Sequence, residues 1–372
     1  MIARREILGL FAVLTTSSGS LRADLRGAGR RRGSSRHDVA FVGCRRGPDG
    51  AYWMTALDPV GEALFDLQLP DRGHGVAVHP RLPLVAVVAR RPGRFMHVVN
   101  LREGTVIAQA KTPPGQHFQG HACFSPDGRR VLATENAYEA GVGLVGIYDA
   151  LRGYERVGQF DAHGIGPHEI IWGRDASEVI VAVGGIRRHP DYGAAKLNLD
   201  SMRSSVVRLD ARTGALRERL ESPEDPSTLS LRHLALDQEG AVLVAAQHQG
   251  ARTDPVALLH RQHATTLRGR RTGRRFEQAV RHYAGSVAVS GGIAGVTHPR
   301  GDAVSLWHLA RKHHRIVEGL EDVSGIAPHG DRGQFVLSGG TGWTAVLDAR
   351  DGSLVNWRSS DGWAWDNHLV AV

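Results

Sequence analysis

The sequence predicts an all-β protein with the architecture of a seven-bladed β-propeller. After residue 38, short apolar runs alternate with Gly, Pro and Asp turns, and no long stretch has the periodicity of a helix. A histidine stands directly before an apolar run at His74, His121 and His168, with a constant spacing of 47 residues. A repeat of this length that holds four short strands has the size of one propeller blade.

Each repeat unit has a histidine, a strand, a turn and three further strands. The unit at His121 reads "HACFSPDGRRVLATEN", then "GLVGIYDA" and "YERVGQFD". The histidine directly abuts its strand, unlike the Gly-His of WD40 repeats. The same phase recurs four more times, first after the inserted loop "IRRHPDYGAAKLNLDSMR" and finally in "WDNHLVAV", which gives seven inner strands. These later positions are His233, Tyr283 or Gly285, Ser324 or Gly325, and His368.

The two ends of the chain predict how the ring closes. Three strand-like runs, "DVAFVGCRRG", "AYWMTALDP" and "ALFDLQLP", precede His74 without an inner strand of their own. The last strand, at His368, has no partners. An open propeller would leave unpaired strand edges. We therefore expect the C-terminal strand to join the N-terminal blade, and residues 38–372 to form a single propeller domain.

The N-terminus has the pattern of an export signal. Arg4 and Arg5 stand before a short apolar stretch from Ile7 to Leu14, which is too short to cross a bilayer. The pair resembles a bacterial twin-arginine signal, although Ile7 and Gly9 depart from the usual residues. Residues 1–23 are predicted to be a signal peptide, which implies a periplasmic location. No other segment is predicted to span a membrane.

The composition is basic, with a net charge of +8. The arginines are scattered, apart from "GRRTGRR" at 269–275, which we interpret as a solvated loop rather than a polyanion site. Nucleic acid is therefore not an expected partner. Cys44 and Cys123 are the two cysteines, each in an apolar run, and are predicted to be small buried side chains.

Equivalent positions of a closed propeller lie on a circle around its axis, so the in-phase histidines should share one mouth of the central channel. Neutral imidazoles facing one another suit iron, copper or zinc. Glu169 and Asp366 are candidate hydrogen-bond acceptors or carboxylate ligands, although neighbours on a strand point to opposite faces. Tyr283 and Ser324 would complete the circle. The histidines expected at the rim are His74, His121, His168, His233 and His368.

A structural role for the same histidines stays open. An imidazole at a strand start can hydrogen-bond the loop of the adjacent blade, and a repeat propagates structural residues as well as functional ones. Evidence for catalysis is weak, because the sequence has no nucleophile elbow, zinc-protease motif, P-loop or dinucleotide fingerprint. Ser227 or Ser230 near His233 is a weak signal of a catalytic pair.

The motifs "GHGVAVHP", "GPHEI", "SLRHLALD", "GSVAVSGG" and "WDNHLVAV", together with the twin-arginine start, resemble an uncharacterised bacterial family, domain of unknown function 1513. The resemblance covers residues 1–372, with the segment 269–275 departing from the pattern. It implies a seven-bladed periplasmic propeller. It also implies a part in iron handling beside imelysin-like iron-regulated proteins and di-haem cytochrome-type oxidoreductases. It implies no activity and no ligand.

Three hypotheses follow from the sequence. The first is an exported propeller that binds or handles a transition metal through its histidine rim, with periplasmic iron-uptake or cytochrome-type proteins as partners. The second is a non-catalytic interaction scaffold of the cell envelope, in which the histidines are structural. The third is a propeller enzyme of the lactonase or amine-dehydrogenase type.

Overall fold

The computed structural model describes residues 39–223, 227–250, 256–311, 313–330 and 333–372. The predicted signal peptide lies outside these residues. The described strands of the first half of the chain are β1 (Phe41–Arg46), β2 (Tyr52–Leu57), β3 (Ala63–Leu69), β4 (Gly73–Val78), β5 (Leu84–Ala89), β6 (Phe95–Asn100), β7 (Thr105–Lys111), β8 (Gln116–Phe124), β9 (Arg130–Ala137), β10 (Val142–Asp149), β11 (Glu155–Asp161), β12 (Pro167–Trp172), β13 (Glu178–Val183) and β14 (Ser205–Asp210).

The second half of the chain continues the same pattern and adds one short helix, α1 (Arg274–Ala279). Its strands are β15 (Leu216–Leu220), β16 (Leu229–Leu236), β17 (Val242–His248), β18 (Leu259–His263), β19 (Thr266–Arg270), β20 (Val287–Ser290), β21 (Ile293–His298), β22 (Ala303–His308), β23 (His313–Glu318), β24 (Val323–Pro328), β25 (Gln334–Gly339), β26 (Trp343–Asp348), β27 (Leu354–Ser359) and β28 (Ala364–Ala371).

These strands form seven antiparallel sheets of four strands, which are the blades of a β-propeller. Blade 1 has the strand order β28-β1-β2-β3, and blades 2 to 7 take the remaining strands in consecutive groups of four, from β4–β7 to β24–β27. The inner strands contact one another in a closed cycle, β28 to β4, β8, β12, β16, β20, β24 and back to β28. The predicted fold class is therefore confirmed.

Blade 1 is completed by the two ends of the chain, as the sequence predicts. The C-terminal strand β28 pairs antiparallel with β1, with Phe41 opposite Ala371 and Gly43 opposite Leu369. Leu369 is buried together with Phe41 in a cluster that also includes residues of blade 7. The last strand thus supplies the inner strand that the first three strands lack.

The position of a strand within its blade decides its hydrophobic pattern. The second strands are almost continuously apolar and buried, as in β5 with "LVAVVA" and β13 with "EVIVAV", because both of their faces pack against neighbouring blades. The outer strands alternate, as in β7 with "TVIAQAK", because they lie at the solvent edge. The core therefore lies between the blades, and the inner strands are left to line the axis.

The arginine-rich segment 269–275 differs from the prediction of a loop. Arg270 ends strand β19, which pairs with β18, and Arg274 begins helix α1. Phe276 of this helix is buried in the hydrophobic cluster that blades 4, 5 and 6 form. The side chains of Arg274 and Arg275 are exposed, as expected. Among the described residues, no helix has the length and apolar character that a membrane crossing requires.

Candidate functional site: a histidine cluster on the propeller axis

Six of the seven inner strands carry a β-bulge, and five of these bulges position a predicted histidine. The strand register shifts between Gly73 and Val76 in β4, and similar shifts occur in β8, β12, β16, β24 and at the β28–β1 pair. A bulge adds unpaired residues to one strand and redirects its side chains. The bulges are therefore the local feature that turns the histidines from the plane of each blade toward the axis.

The structure brings all five predicted histidines together. His121 is the centre of the cluster, with its ring centroid 4.6 Å from that of His368, 4.7 Å from His168, 5.0 Å from His74 and 5.6 Å from His233. Four of the five side chains are buried, with no more than 9% exposed, and His168 is half-buried. They form a compact cluster rather than an open rim, and we call these five residues the histidine cluster.

The two blades that contribute no histidine to the cluster explain why it is compact. Blade 6 places the small side chain of Ser286 directly before β20, and its hydroxyl lies 3.4 Å from Nδ1 of His368. Blade 7 places Ser324 at its bulge. With no large side chain intervening, the rings of His233 and His368 approach to 4.7 Å although they come from blades 5 and 1.

Asp366 fixes the orientation of His74. Its Oδ1 lies 2.5 Å from Nδ1 of His74, and Oδ2 accepts a hydrogen bond from Arg72. Burial raises the pKa of Asp366, but the attraction of His74, Arg90 and Arg72 outweighs burial and holds the pKa well below its usual range. The ionised carboxylate makes Nδ1 of His74 a hydrogen-bond donor, so its Nε2 carries the lone pair. That atom lies 3.2 Å from Nε2 of His368.

Glu169 has the same relation to His233. Its Oε2 lies 3.2 Å from Nδ1 of His233 and accepts a hydrogen bond from the backbone N–H of Leu234. Burial raises the pKa of Glu169. Sequence reasoning identified both carboxylates, but each serves the histidine of another blade rather than the one beside it in the chain. The sequence could not predict which histidine each carboxylate contacts, because adjacent side chains on a strand point to opposite faces.

Two nitrogens of the cluster are buried with no hydrogen-bond partner among the described residues: Nε2 of His121 and Nδ1 of His168. The backbone carbonyls of both residues accept from the hydroxyl of Thr134, which fixes the two strands relative to each other. Two triplets of histidines each have ligand atoms that all lie within 4.8 Å of one another, and both triplets include His121. The triplets are His74, His121 and His368, and His121, His168 and His233.

Two glycines allow the rings to approach one another. Gly120 has φ of +106°, and a Cβ there would lie 2.4 Å from Cδ2 of His74. A Cβ at Gly75 would lie 2.5 Å from the carbonyl oxygen of Gly120 and 3.0 Å from Nδ1 of His121. The sequence signal for this close packing is present in "GHGVAV" and "QGHACF", where a glycine borders the histidine, although it was not recognised.

The electrostatics of the site keep the imidazoles neutral. Burial is the largest cause that lowers the pKa of each of the five histidines below the ordinary value of 6.5. Neighbouring histidines lower the pKa values of His121, His168, His233 and His368 further, and Arg232 does so at His168 and His233. At neutral pH each ring therefore offers one nitrogen lone pair.

A channel of about 370 Å³ along the axis reaches the histidine cluster. It touches His121, Glu169 and His368, and its remaining wall is mostly aliphatic, from inner-strand residues such as Val76, Leu236 and Ile326. The two cysteines add no thiolate to this region. Burial raises the pKa of both Cys44 and Cys123, so they remain thiols.

The other two residues expected at the rim have different surroundings. The hydroxyl of Ser324 donates to the backbone carbonyl of Asp322, and the carbonyl of Ser324 accepts from Thr297. Tyr283 precedes β20 and forms an isolated bridge with Gln247. Its ring lies under the guanidinium of Arg300, 4.2 Å from the ring centroid. Ser286, adjoining the strand as the histidines do, is the blade 6 residue that contacts the cluster.

The comparison with known families identifies the chain. A family model described as "Protein of unknown function (DUF1513)" matches residues 67–372. The chain belongs to this family. In this DUF1513 protein the matched region begins before the first bulged histidine, His74, and contains all five members of the histidine cluster. No curated protein matches the sequence significantly.

Proposed function

We propose that this protein binds a divalent transition metal ion through the histidine cluster. The observation that carries the proposal is the pair of buried, unpartnered nitrogens at His121 and His168. Buried polar atoms in native proteins almost always have a partner. Nε2 of His121 and Nδ1 of His168 have none among the described residues, and they lie in a group of neutral imidazoles. A metal ion satisfies several such lone pairs at once.

The spacing and the supporting groups favour this function. Two nitrogens bound cis to one ion at metal–nitrogen distances of about 2.1 Å lie roughly 3.0 to 3.4 Å apart. The Nε2 atoms of His74 and His368 are separated by 3.2 Å. Metal-binding histidines usually donate their other N–H to a carboxylate. Asp366 and Glu169 provide that acceptor at His74 and His233.

The donor set limits the metal and its chemistry. Imidazole nitrogens suit Fe²⁺, Cu²⁺ and Zn²⁺, and exclude hard cations such as Ca²⁺ and Mg²⁺, which prefer oxygen. The resemblance noted in the sequence implies a part in iron handling and no particular ligand, and on that ground we propose iron as the metal. Each triplet offers three nitrogens, which leaves coordination positions for another ligand, as in sites that exchange or activate ligands. We propose that the protein acts in the periplasm, where iron-uptake or cytochrome-type proteins would be its partners.

The test is a metal titration of protein that was stripped of metal on a chelating resin. Wild type should bind Fe²⁺, Cu²⁺ or Zn²⁺ stoichiometrically by calorimetry. The variant His121→Gln/His168→Gln should bind at least about 10- to 100-fold more weakly, because even loss of a supporting group has this effect. His263→Gln/His313→Gln removes two exposed histidines and is the matched control.

A structural role for the cluster predicts a different result. The double variant would then lose thermal stability in metal-free protein, at about 1 kcal/mol per lost hydrogen bond. Wild type and control would bind no metal between pH 6 and 8. That combination would overturn the proposal.

A further inference from the structure

A group of arginines beside the histidine cluster is unexplained by metal binding. Arg91 follows β5 in blade 2, Arg188 lies in the loop after β13 in blade 4, and Arg232 is the bulge residue of β16 in blade 5. Arg91 and Arg188 lie beyond the ends of the second strands of their blades, and Arg232 lies at the bulge that precedes His233. We call these three residues the arginine group.

Arg232 is buried, and Arg91 and Arg188 are half-buried, without compensating charge. Arg232 is only 6% exposed, and its Nε is buried with no partner. The Nε of Arg188 is likewise unpartnered, although Nη1 donates to the carbonyl of Ala194. No carboxylate among the described residues forms an ion pair with any of the three. By contrast, Arg90, which directly precedes Arg91, shares Asp366 with Arg72.

The guanidinium of Arg232 lies close to the loop that carries Arg188, since a Cβ added to Gly184, directly after β13, would lie 3.5 Å from Nε of Arg232. Burial, followed by the charges of Arg232, Arg188 and Arg90, lowers the pKa of Arg91 to about 8. Burial is also the largest cause that lowers the pKa of Arg232 to about 10, and Arg188 and Arg90 lower it further. Guanidinium groups keep their proton in proteins. A bound anion would give the buried Nε atoms of Arg188 and Arg232 the hydrogen-bond partner that they lack, and an unpaired buried charge is otherwise costly.

We propose that the arginine group binds a small oxyanion with at least two negative charges, of the carboxylate or phosphate type, next to the histidine cluster. Guanidinium forks match the geometry of both anions and bind them through paired hydrogen bonds. The neighbouring Tyr283 raises the pKa values of Arg91 and Arg232, so its hydroxyl lies in the same region. The inference rests on the arginines alone and does not depend on a metal.

The experiment is a calorimetric titration of metal-free protein with citrate and, separately, with inorganic phosphate. Wild type should bind at least one of them, and the anion that binds more tightly identifies the class. Arg91→Gln and Arg232→Gln should weaken binding by about 10- to 100-fold, the range for a charged hydrogen bond. Arg102→Gln removes an exposed arginine elsewhere and should bind as wild type does, which controls for the overall positive charge.

Arg91 is partly exposed, so its variant tests the proposal even if Arg232→Gln fails to fold. His121→Gln/His168→Gln should retain anion binding, so failure of the metal proposal and failure of this one are distinguishable. The anion proposal is overturned if wild type binds neither anion, or if Arg91→Gln and Arg102→Gln bind with equal affinity.

Discussion

The carboxylate of Asp366 lies 2.5 Å from Nδ1 of His74, although 292 residues separate them in the chain. This contact joins the C-terminal strand to the first in-phase histidine, so ring closure and the organisation of the histidine cluster depend on the same strand. His368, two residues after Asp366, approaches His74 from the other side, with the ring centroids 4.5 Å apart. His74 is thereby held between two residues of β28.

Asp366→Asn should lower metal affinity by about 10- to 100-fold. A carboxylate fixes the ring of His74 and raises its basicity, and the neutral amide does neither. Asp66→Asn is the matched control, since Asp66 also pairs with an arginine, Arg45, but outside the cluster. Metal titration by calorimetry measures both. Equal affinities in the two variants would show that Asp366 has no role in metal binding.

Gly120→Ala should displace the ring of His74 and weaken metal binding by about tenfold or more, as expected when a site loses its preorganised geometry. The new Cβ would lie 2.4 Å from Cδ2 of that ring. Gly115→Ala is the control, because Gly115 also has a positive φ, +77°, but a Cβ there meets nothing within 4 Å. Both variants should lose about 1 kcal/mol of stability from backbone strain. If Gly120→Ala binds metal as Gly115→Ala does, the close packing is not required.

The stability of metal-free protein should fall as the pH drops below about 6.5. Above that pH the cluster is neutral in both folded and unfolded protein. Below it, the unfolded chain binds protons that the folded protein does not, because burial lowers the folded-state pKa values. Each such histidine contributes about 1.4 kcal/mol per pH unit until its folded pKa is reached.

The measurement for this pH dependence is the melting temperature from pH 7.5 to 5. Other buried histidines and the carboxylates add to the total, so the decisive comparison is between wild type and His121→Gln/His168→Gln. The variant should have the shallower slope below pH 6.5. Parallel curves would mean that these two histidines titrate normally in the folded protein.

Closure of the ring predicts a large effect from a change at the C-terminus. Leu369→Ala removes a buried side chain from the inner strand of blade 1 and should cost about 2 to 5 kcal/mol of unfolding free energy. Val372→Ala, three residues later and 46% exposed, should change stability by less than about 0.5 kcal/mol. Chemical denaturation measures both. A loss below about 1 kcal/mol for Leu369→Ala would contradict a stabilising closure strand.

Export is predicted from Arg4 and Arg5, which lie outside the described residues. Replacing both with lysine should retain the precursor in the cytoplasm, because a twin-arginine signal depends on this pair. Cell fractionation and immunoblotting locate the protein. The control is Arg30→Lys/Arg31→Lys, which changes a pair of arginines beyond the predicted signal peptide. Unchanged periplasmic recovery of the Arg4/Arg5 variant would exclude this route.

The seven blades, the closure of the ring and the five histidines at one phase were predictable because each is written as a local pattern. Strand-length apolar runs and turn residues recur with the repeat, and "HLVAV" at the end matches "HGVAV" at His74. The inserted loop before β14 also could be identified, since it interrupts an otherwise regular spacing.

The contacts within the site could be decided only by the tertiary structure. Glu169 contacts His233 and Asp366 contacts His74, because bulges turn side chains toward a neighbouring blade. The separation of these residues in the sequence does not reveal such contacts. The arginine group comes from blades 2, 4 and 5, and in the sequence its members are ordinary scattered arginines. Sequence alone determined the repeat of the inner strands and the five histidines that they carry. The curvature of the closed ring, which brings seven strand starts to one axis, decided which of them touch.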